Sequence, residues 1–268
     1  MMEPDDEMEE SGPRFPPPSQ EQVAWRALCL YAVSVRADCE YVHQLAVEYA
    51  RHLEGDPKPP PELAPLTALE EWISVQGIRE RLSPIEREWF ATPLGEWEQQ
   101  QVLDGTWRKE SLGVLLWALS VLDALPPYDT EFPEKVHTGN IGWLQPASSF
   151  LDRVRLRQHD EIAHARDLAE LWNWRARTRQ LQEMDPNTRS VPRDFNFEKI
   201  IRQAAEIAHQ RGDIPRPIKR DFPAFRKPYA RLTRDEYSLA TSIAMERHFA
   251  LNWLCGYAED WDSTPTDT

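Results

Sequence analysis

Apolar side chains recur near the start of the chain at positions 25, 28, 32, 35, 39, 42, 46, 49 and 53, spaced alternately three and four apart without a slip. They are Trp25, Leu28, Ala32, Val35, Cys39, Val42, Ala46, Tyr49 and Leu53. That alternation is one stripe of a helix carried over about four heptads. Ser19 is placed to cap its start, and Gly55 with Pro57-Lys58-Pro59-Pro60-Pro61 closes it, so a long first helix spans roughly 20 to 53. Because the stripe mixes small and large residues and more helices follow, it is read as packing within the domain. An intermolecular coiled coil is the alternative.

Shorter helical patterns follow. Thr67 to Gln76 is closed by Gly77, and Ser83-Pro84-Ile85-Glu86 combines an N-cap, a proline in the first turn and a capping-box glutamate. Gly95 to Leu103 and Thr106 to Asp123 read as two helices broken at Asp104-Gly105, the second carrying the apolar block Val114 to Leu119. An irregular connection is expected from Leu125 to Pro146. Helical pattern resumes from about 147 to 183 with a break near Arg157, and returns at roughly 197 to 211. A second capping box, Thr233-Arg234-Asp235-Glu236, opens a last helix over about 234 to 257 that is apolar on most sides and therefore central. No segment shows the period-two alternation of a strand.

The composition agrees with a single all-α domain. Of 268 residues 41% are hydrophobic and 28% charged, and 23 Pro against ten Gly fit helices punctuated by proline-containing connections. The eleven Trp are read as wide packing anchors between helices. Residues 1 to 18, with six acids, no base before Arg14, and Pro13, Pro16, Pro17 and Pro18, cannot pack a core and are expected to be a disordered tail, leaving 19 to 268 as the domain. The segment has neither a basic start nor an apolar stretch, so it is not a signal peptide. No run is long and apolar enough to span a membrane. Three cysteines with no bridgeable pair point to a reducing interior, so the expected location is the cytoplasm.

A net charge of -14 argues against attraction of the whole chain to nucleic acid or to an anionic membrane. The charge is unevenly spread. Between 214 and 234 the candidate basic loop holds Arg216, Lys219, Arg220, Arg226 and Lys227, followed by Arg231 and Arg234, with Asp221 as its one acid. Such a loop either binds phosphate, single-stranded nucleic acid or an acidic partner, or neutralises the protein's own acidic surface; the second is preferred.

Chemistry-bearing patterns are sparse. No nucleophile elbow, phosphate-binding glycine loop or paired-cysteine zinc spacing is present. His159 and His164 lie five apart, which separates them by about 140° around a helix, so they cannot share a zinc as a zincin pair does. Glu40 with His43, Glu161 with His164, and Glu206 with His209 have the three-residue spacing of di-metal helix bundles, but no pattern singles out the further glutamates such a site needs. No metal or cofactor is therefore expected. In the last helix Glu246, Arg247, His248 and Asn252 stand among apolar residues, while Arg36 and Glu40 flank the stripe of the first helix. A buried network linking the two helices would satisfy these charges; a cleft lined by them would instead bind a small anion or perform acid-base chemistry.

Several blocks taken together resemble a known family. They are Tyr31-Ala32-Val33 with Arg36-Ala37, Trp107-Arg108-Lys109-Glu110 leading into Leu115 to Leu119, Glu246-Arg247-His248 with Ala250 to Leu254, and Trp261-Asp262 closing on Thr266-Asp267-Thr268. In these the chain resembles the bacterial domain-of-unknown-function family 4272 over about residues 20 to 268. The resemblance implies a soluble helical domain and assigns no activity, so it carries no functional residues. Two expectations of function stand: a helical interaction module whose acidic surface masks a basic protein partner, or an enzyme or small-anion binder built on the Glu246, Arg247 and His248 cluster.

Overall fold

The computed structural model describes residues 12–52, 64–185, 191–192 and 195–266. Residues 1 to 11 of the acidic tail, Leu53, the Pro57 to Pro61 linker and the final Asp267-Thr268 lie outside the described residues. Among those described, nine α-helices and one two-stranded ribbon make a single all-α domain. The helices are α1 (Gln20–His52), α2 (Ala64–Val75), α3 (Pro84–Ala91), α4 (Gln99–Ala118), α5 (Glu134–Ile141), α6 (Ala147–Leu151), α7 (His159–Glu183), α8 (Phe197–Arg211) and α9 (Arg234–Leu254). The ribbon is β1 (Pro223–Ala224) with β2 (Lys227–Pro228).

Four long helices pack in the order α1, α4, α9, α7, each chiefly against its neighbour in that row. With α4 on one side and α7 on the other, α9 is central, and every residue from Glu246 to Leu254 is buried. Fully burying each Leu or Phe there contributes roughly 1.5 to 3 kcal/mol. Both capping boxes form: Ser83 accepts from the Glu86 amide and Thr233 from that of Glu236, while each glutamate returns to its cap's amide.

The α4 region differs from the two-helix expectation. The helix runs unbroken through Asp104-Gly105, because Gly105 is where α1 crosses closely: a Cβ there would stand 2.9 Å from Ala37 Cβ and 3.0 Å from Trp97. It marks helix contact rather than a break. The 125 to 146 connection contains α5, and residues 152–158 separate α6 from α7. The proline end of the expected tail, residues 12–18, also departs from expectation. Arg14 and Phe15 donate their backbone N–H groups to the Gly256 carbonyl, both at 3.0 Å, where Gly256 has a φ of 80°. That stretch is docked just beyond α9.

The basic loop is folded rather than irregular. Ile218 and Asp221 exchange backbone hydrogen bonds across Lys219-Arg220, and Ala224 pairs with Lys227 across Phe225-Arg226. All four turn residues have positive φ, between 50° and 68°, giving two successive mirror-image turns without a glycine. Turns of this kind prefer Asn-Gly, so no ordinary turn signal announced them.

The stripe on α1 is covered over only part of its length. Val23 to Glu40 is largely buried, whereas the stripe residues Val42 and Tyr49 are 51 and 67% exposed, as are their off-stripe neighbours Tyr41 at 54% and Leu45 at 45%. The heptad pattern outruns the fold that covers it.

Candidate functional site

The six polar residues of the expected cluster do not form one site. On α1, Arg36 donates to Glu40 at 2.7 Å and to the Thr92 and Pro93 carbonyls, and stacks 4.6 Å from the Trp97 ring. The second oxygen of Glu40 accepts from the Gln44 amide and the Trp97 backbone N–H. Burial alone would push the Glu40 carboxyl up; hydrogen bonds from Arg36 and Gln44 outweigh it and hold the group below its usual value. The pair fastens α1 to the 92–98 loop and does not reach α9.

Partners for α9 come from α4 instead. Glu246 accepts from Arg108 Nη1 at 3.1 Å and from Ser111 Oγ at 2.7 Å, two α4 residues three apart and so on one face. Arg247, turned 100° away on its own helix, meets Glu110 at 2.9 Å. Its other nitrogens donate to the carbonyls of Pro126, Pro127 and Thr130, and its plane lies 5.1 Å from Tyr128 and 5.0 Å from Phe132. Glu110 also accepts from the Phe132 amide at 2.7 Å; burial pushes its carboxyl up, opposed by the adjacent Arg247. Every nitrogen of the Arg247 guanidinium is engaged.

The opposite edge of α9 holds the chain's last described residues. Asn252 accepts from Arg166 Nε at 2.8 Å and donates to the Pro265 carbonyl at 2.9 Å. Asn173 Nδ2 donates to the Thr266 carbonyl at 3.0 Å and lies 3.4 Å from His248 Nδ1. Buried completely, the imidazole has its pKa lowered to about 4, chiefly by desolvation and then by the charge of Arg166. It is therefore neutral at pH 7. Trp261 packs edge-on against Phe249 and Trp253, and Asp262 accepts from the Ile85 amide at 3.0 Å. Among the described residues, none of the six lines the cleft between α1 and α4 or the cleft beside α8.

The glutamate and histidine pairs are dispersed. Glu40 is held as described, Glu161 faces Arg157 at 3.5 Å, His164 faces Asp213 at 3.4 Å, and His209 contacts the Ile214 carbonyl. His43 packs under the turn at Gly95. Among the described residues, no three His, Cys, Asp or Glu side chains converge as a metal set would require.

Of the basic loop, Lys227 is paired, meeting Glu236 at 2.6 Å. Among the described residues Arg216, Lys219, Arg220 and Arg226 form no ion pair, so self-neutralisation accounts for one of the five. Its lone acid has a different role. Asp221 is buried, accepts Arg175 Nε at 2.7 Å and Nη2 at 2.9 Å, and takes the Phe222 and Ala230 amides as well. Arg175 is fully buried, yet its Nη1 has no hydrogen-bond partner. A buried donor left without an acceptor costs about 1 to 3 kcal/mol. The sequence showed Asp221 as an isolated acid among bases, but nothing in it named Arg175, 46 positions away.

This is a helical protein whose α9 charges are braced against α4 and which carries Lys219, Arg220 and Arg226, without ion pairs among the described residues, on a strained double turn. The model of the family described as Domain of unknown function (DUF4272) matches residues 9–193, more than half of the chain, and the protein belongs to that family. The match ends before α8, so the 246–268 blocks that also resembled the family lie beyond it. No curated protein and no solved structure matches the chain.

Proposed function

We propose that the protein is a cytoplasmic interaction module whose outer α1 face receives a basic amphipathic helix of a protein partner. The observation that carries this reading is an exposed apolar face of α1 beside the heptad stripe, which Tyr41 and Leu45 present at i and i+4. Tyr41, Leu45 and Leu103 line a cleft of about 1200 Å³ between α1 and α4, rimmed by Asp38, Glu48 and Glu98. Its single lining cation, Lys109, is paired with Asp38 at 2.7 Å. An apolar floor between carboxylates fits a helix with Leu-type anchors at i, i+3 and i+4 and Lys or Arg beside them. From Tyr41 to His52 the exposed face extends about 17 Å at 1.5 Å per residue, enough for three turns of a partner. The net charge of -14 steers a cation in the same direction. Three free, buried cysteines support a reducing compartment.

The enzyme or anion-binder alternative at the α9 cluster has less support, since Glu246, Arg247 and Asn252 are held in braces, and His248, whose Nε2 has no partner, lines neither the α1–α4 cleft nor the cleft beside α8. The test of the interaction reading is fluorescence anisotropy with a labelled model helix of Leu and Lys heptads, and with its Leu and Glu counterpart. Binding of the basic peptide is expected to weaken at least tenfold in a Tyr41→Ser/Leu45→Ser variant, which leaves every charge in place. Equal binding by wild type and variant, or by both peptides, overturns the reading. A concentration-dependent dimer that disappears in the variant would assign the face to a second copy of the chain instead.

A further inference from the structure

The cations of the double turn do not project at random. Lys219, Arg220 and Arg231 line a cleft of about 600 Å³ together with Lys199 and Arg202 of α8. Buried Arg175 contributes to its interior. Two carboxylates share the lining, Glu198 and Asp221, and Asp221 is already bound by Arg175. Six cations against two carboxylates make this a concentrated positive site on a protein of charge -14.

Three features of the lining bear on what the cleft holds. Asp221 engages the Nε and Nη2 edge of Arg175, so Nη1, which has no partner, lies on the guanidinium edge away from that carboxylate. Asn196, the N-cap of the 15-residue α8, also lines the cleft and accepts from the Lys199 amide, which sets the positive end of the helix dipole at the wall. Lys219 and Arg220 are held in the left-handed region at φ of 51° and 68°, a conformation costly for residues with side chains. Backbone strain at a cationic turn is understandable where the turn serves to aim those side chains.

We infer that this cleft binds a small molecule carrying two or more phosphate groups. Arginine forks match phosphate oxygens in pairs, and five lining cations beyond the Arg175–Asp221 pair, against Glu198 alone, call for more than one negative group. The volume lies within the roughly 300 to 1,000 Å³ of small-ligand sites. Apart from the polar groups the lining offers Ile201, Pro228 and Ala230 and no aromatic ring, so it provides no platform on which a nucleobase would stack. The ligand is held by its phosphates. This site is separate from the α1 face and does not depend on the interaction reading.

Isothermal titration calorimetry of the full chain with inorganic triphosphate, at low salt, tests the inference. Wild type is expected to bind at about 10 to 100 µM and orthophosphate at least tenfold more weakly. The Lys219→Ser/Arg220→Ser variant changes only exposed side chains; it is expected to lose at least tenfold in triphosphate affinity with an unchanged circular dichroism spectrum. A conservative Arg202→Gln change is expected to weaken binding severalfold. No binding at millimolar triphosphate, or affinity unchanged in the double variant, overturns the site. A dodecamer of thymidylate that binds more tightly than triphosphate, and is lost in the same variant, overturns the small-molecule assignment and gives the cleft to a nucleic-acid backbone.

Discussion

Two arginines of this protein are buried to the same degree and used in opposite ways. Arg247 on α9 and Arg175 on α7 both have no exposed surface. Around Arg247, Glu110 and three backbone carbonyls occupy every nitrogen of the guanidinium, and aromatic rings flank its plane. Around Arg175 one edge is saturated by Asp221 while Nη1 is left without a partner beside a cleft. Burial of a charge alone therefore does not identify a site. What separates brace from site is whether the donors are all spent, and whether the residue lines a cleft.

The largest expected effect lies on the closed side. Glu110→Gln keeps shape but removes the charge that compensates Arg247, and breaking one partner of a buried pair costs about 3 to 5 kcal/mol. For a chain of this size that lowers the melting temperature by about 10 °C. A loss below about 1 kcal/mol in urea unfolding would show that the carbonyls alone suffice and would break the distinction drawn from Arg247.

Acid tests the same side more gently. The folded pKa of His248 is about 4, below its ordinary value near 6.5, because burial disfavours the imidazolium. Below pH 6.5 the unfolded chain takes up a proton that the folded chain refuses. The stability is present in full above pH 6.5 and is lost as pH falls toward 4, at about 1.4 kcal/mol per unit and roughly 3 kcal/mol in all. Buried His137, also lowered to about 4 by desolvation, adds a similar slope. His248→Gln is expected to remove one of the two slopes from a pH series of urea midpoints; an unchanged profile would mean that this imidazole does not stay neutral in the fold.

How legible these features were in the sequence depended on their range. The α1 stripe, both capping boxes and the all-α class were readable because each is set within a few residues. The polar residues of α9 were also visible as polar positions in an apolar helix. Their partners were not, because Arg108, Glu110 and Ser111 lie 135 or more positions away and nothing local says that α4, rather than α1, crosses α9. The one local sign was the run Arg108-Lys109-Glu110-Ser111 just before an apolar block. The cleft was harder still. Its turns use Lys-Arg and Phe-Arg where Asn-Gly would be the recognisable signal, so a folded and strained hairpin read as a loop.

That mismatch supplies the smallest and most discriminating test. Lys219 and Arg220 occupy the two left-handed positions of a mirror-image turn, where Asn and Gly are strongly preferred. Strain of this kind costs of order 1 to 3 kcal/mol per residue when nothing compensates it. If the turn were merely a connection, nothing would oppose its replacement by the relaxed pair. Lys219→Asn/Arg220→Gly is accordingly expected to stabilise the protein by about 1 kcal/mol in urea unfolding while abolishing triphosphate binding. Stability gained together with binding lost would mark the turn as a place where the fold is held away from its optimum for the sake of a ligand. Stability lost together with binding would instead make Lys219 and Arg220 structural, and would place the open side of the comparison in the same class as Arg247.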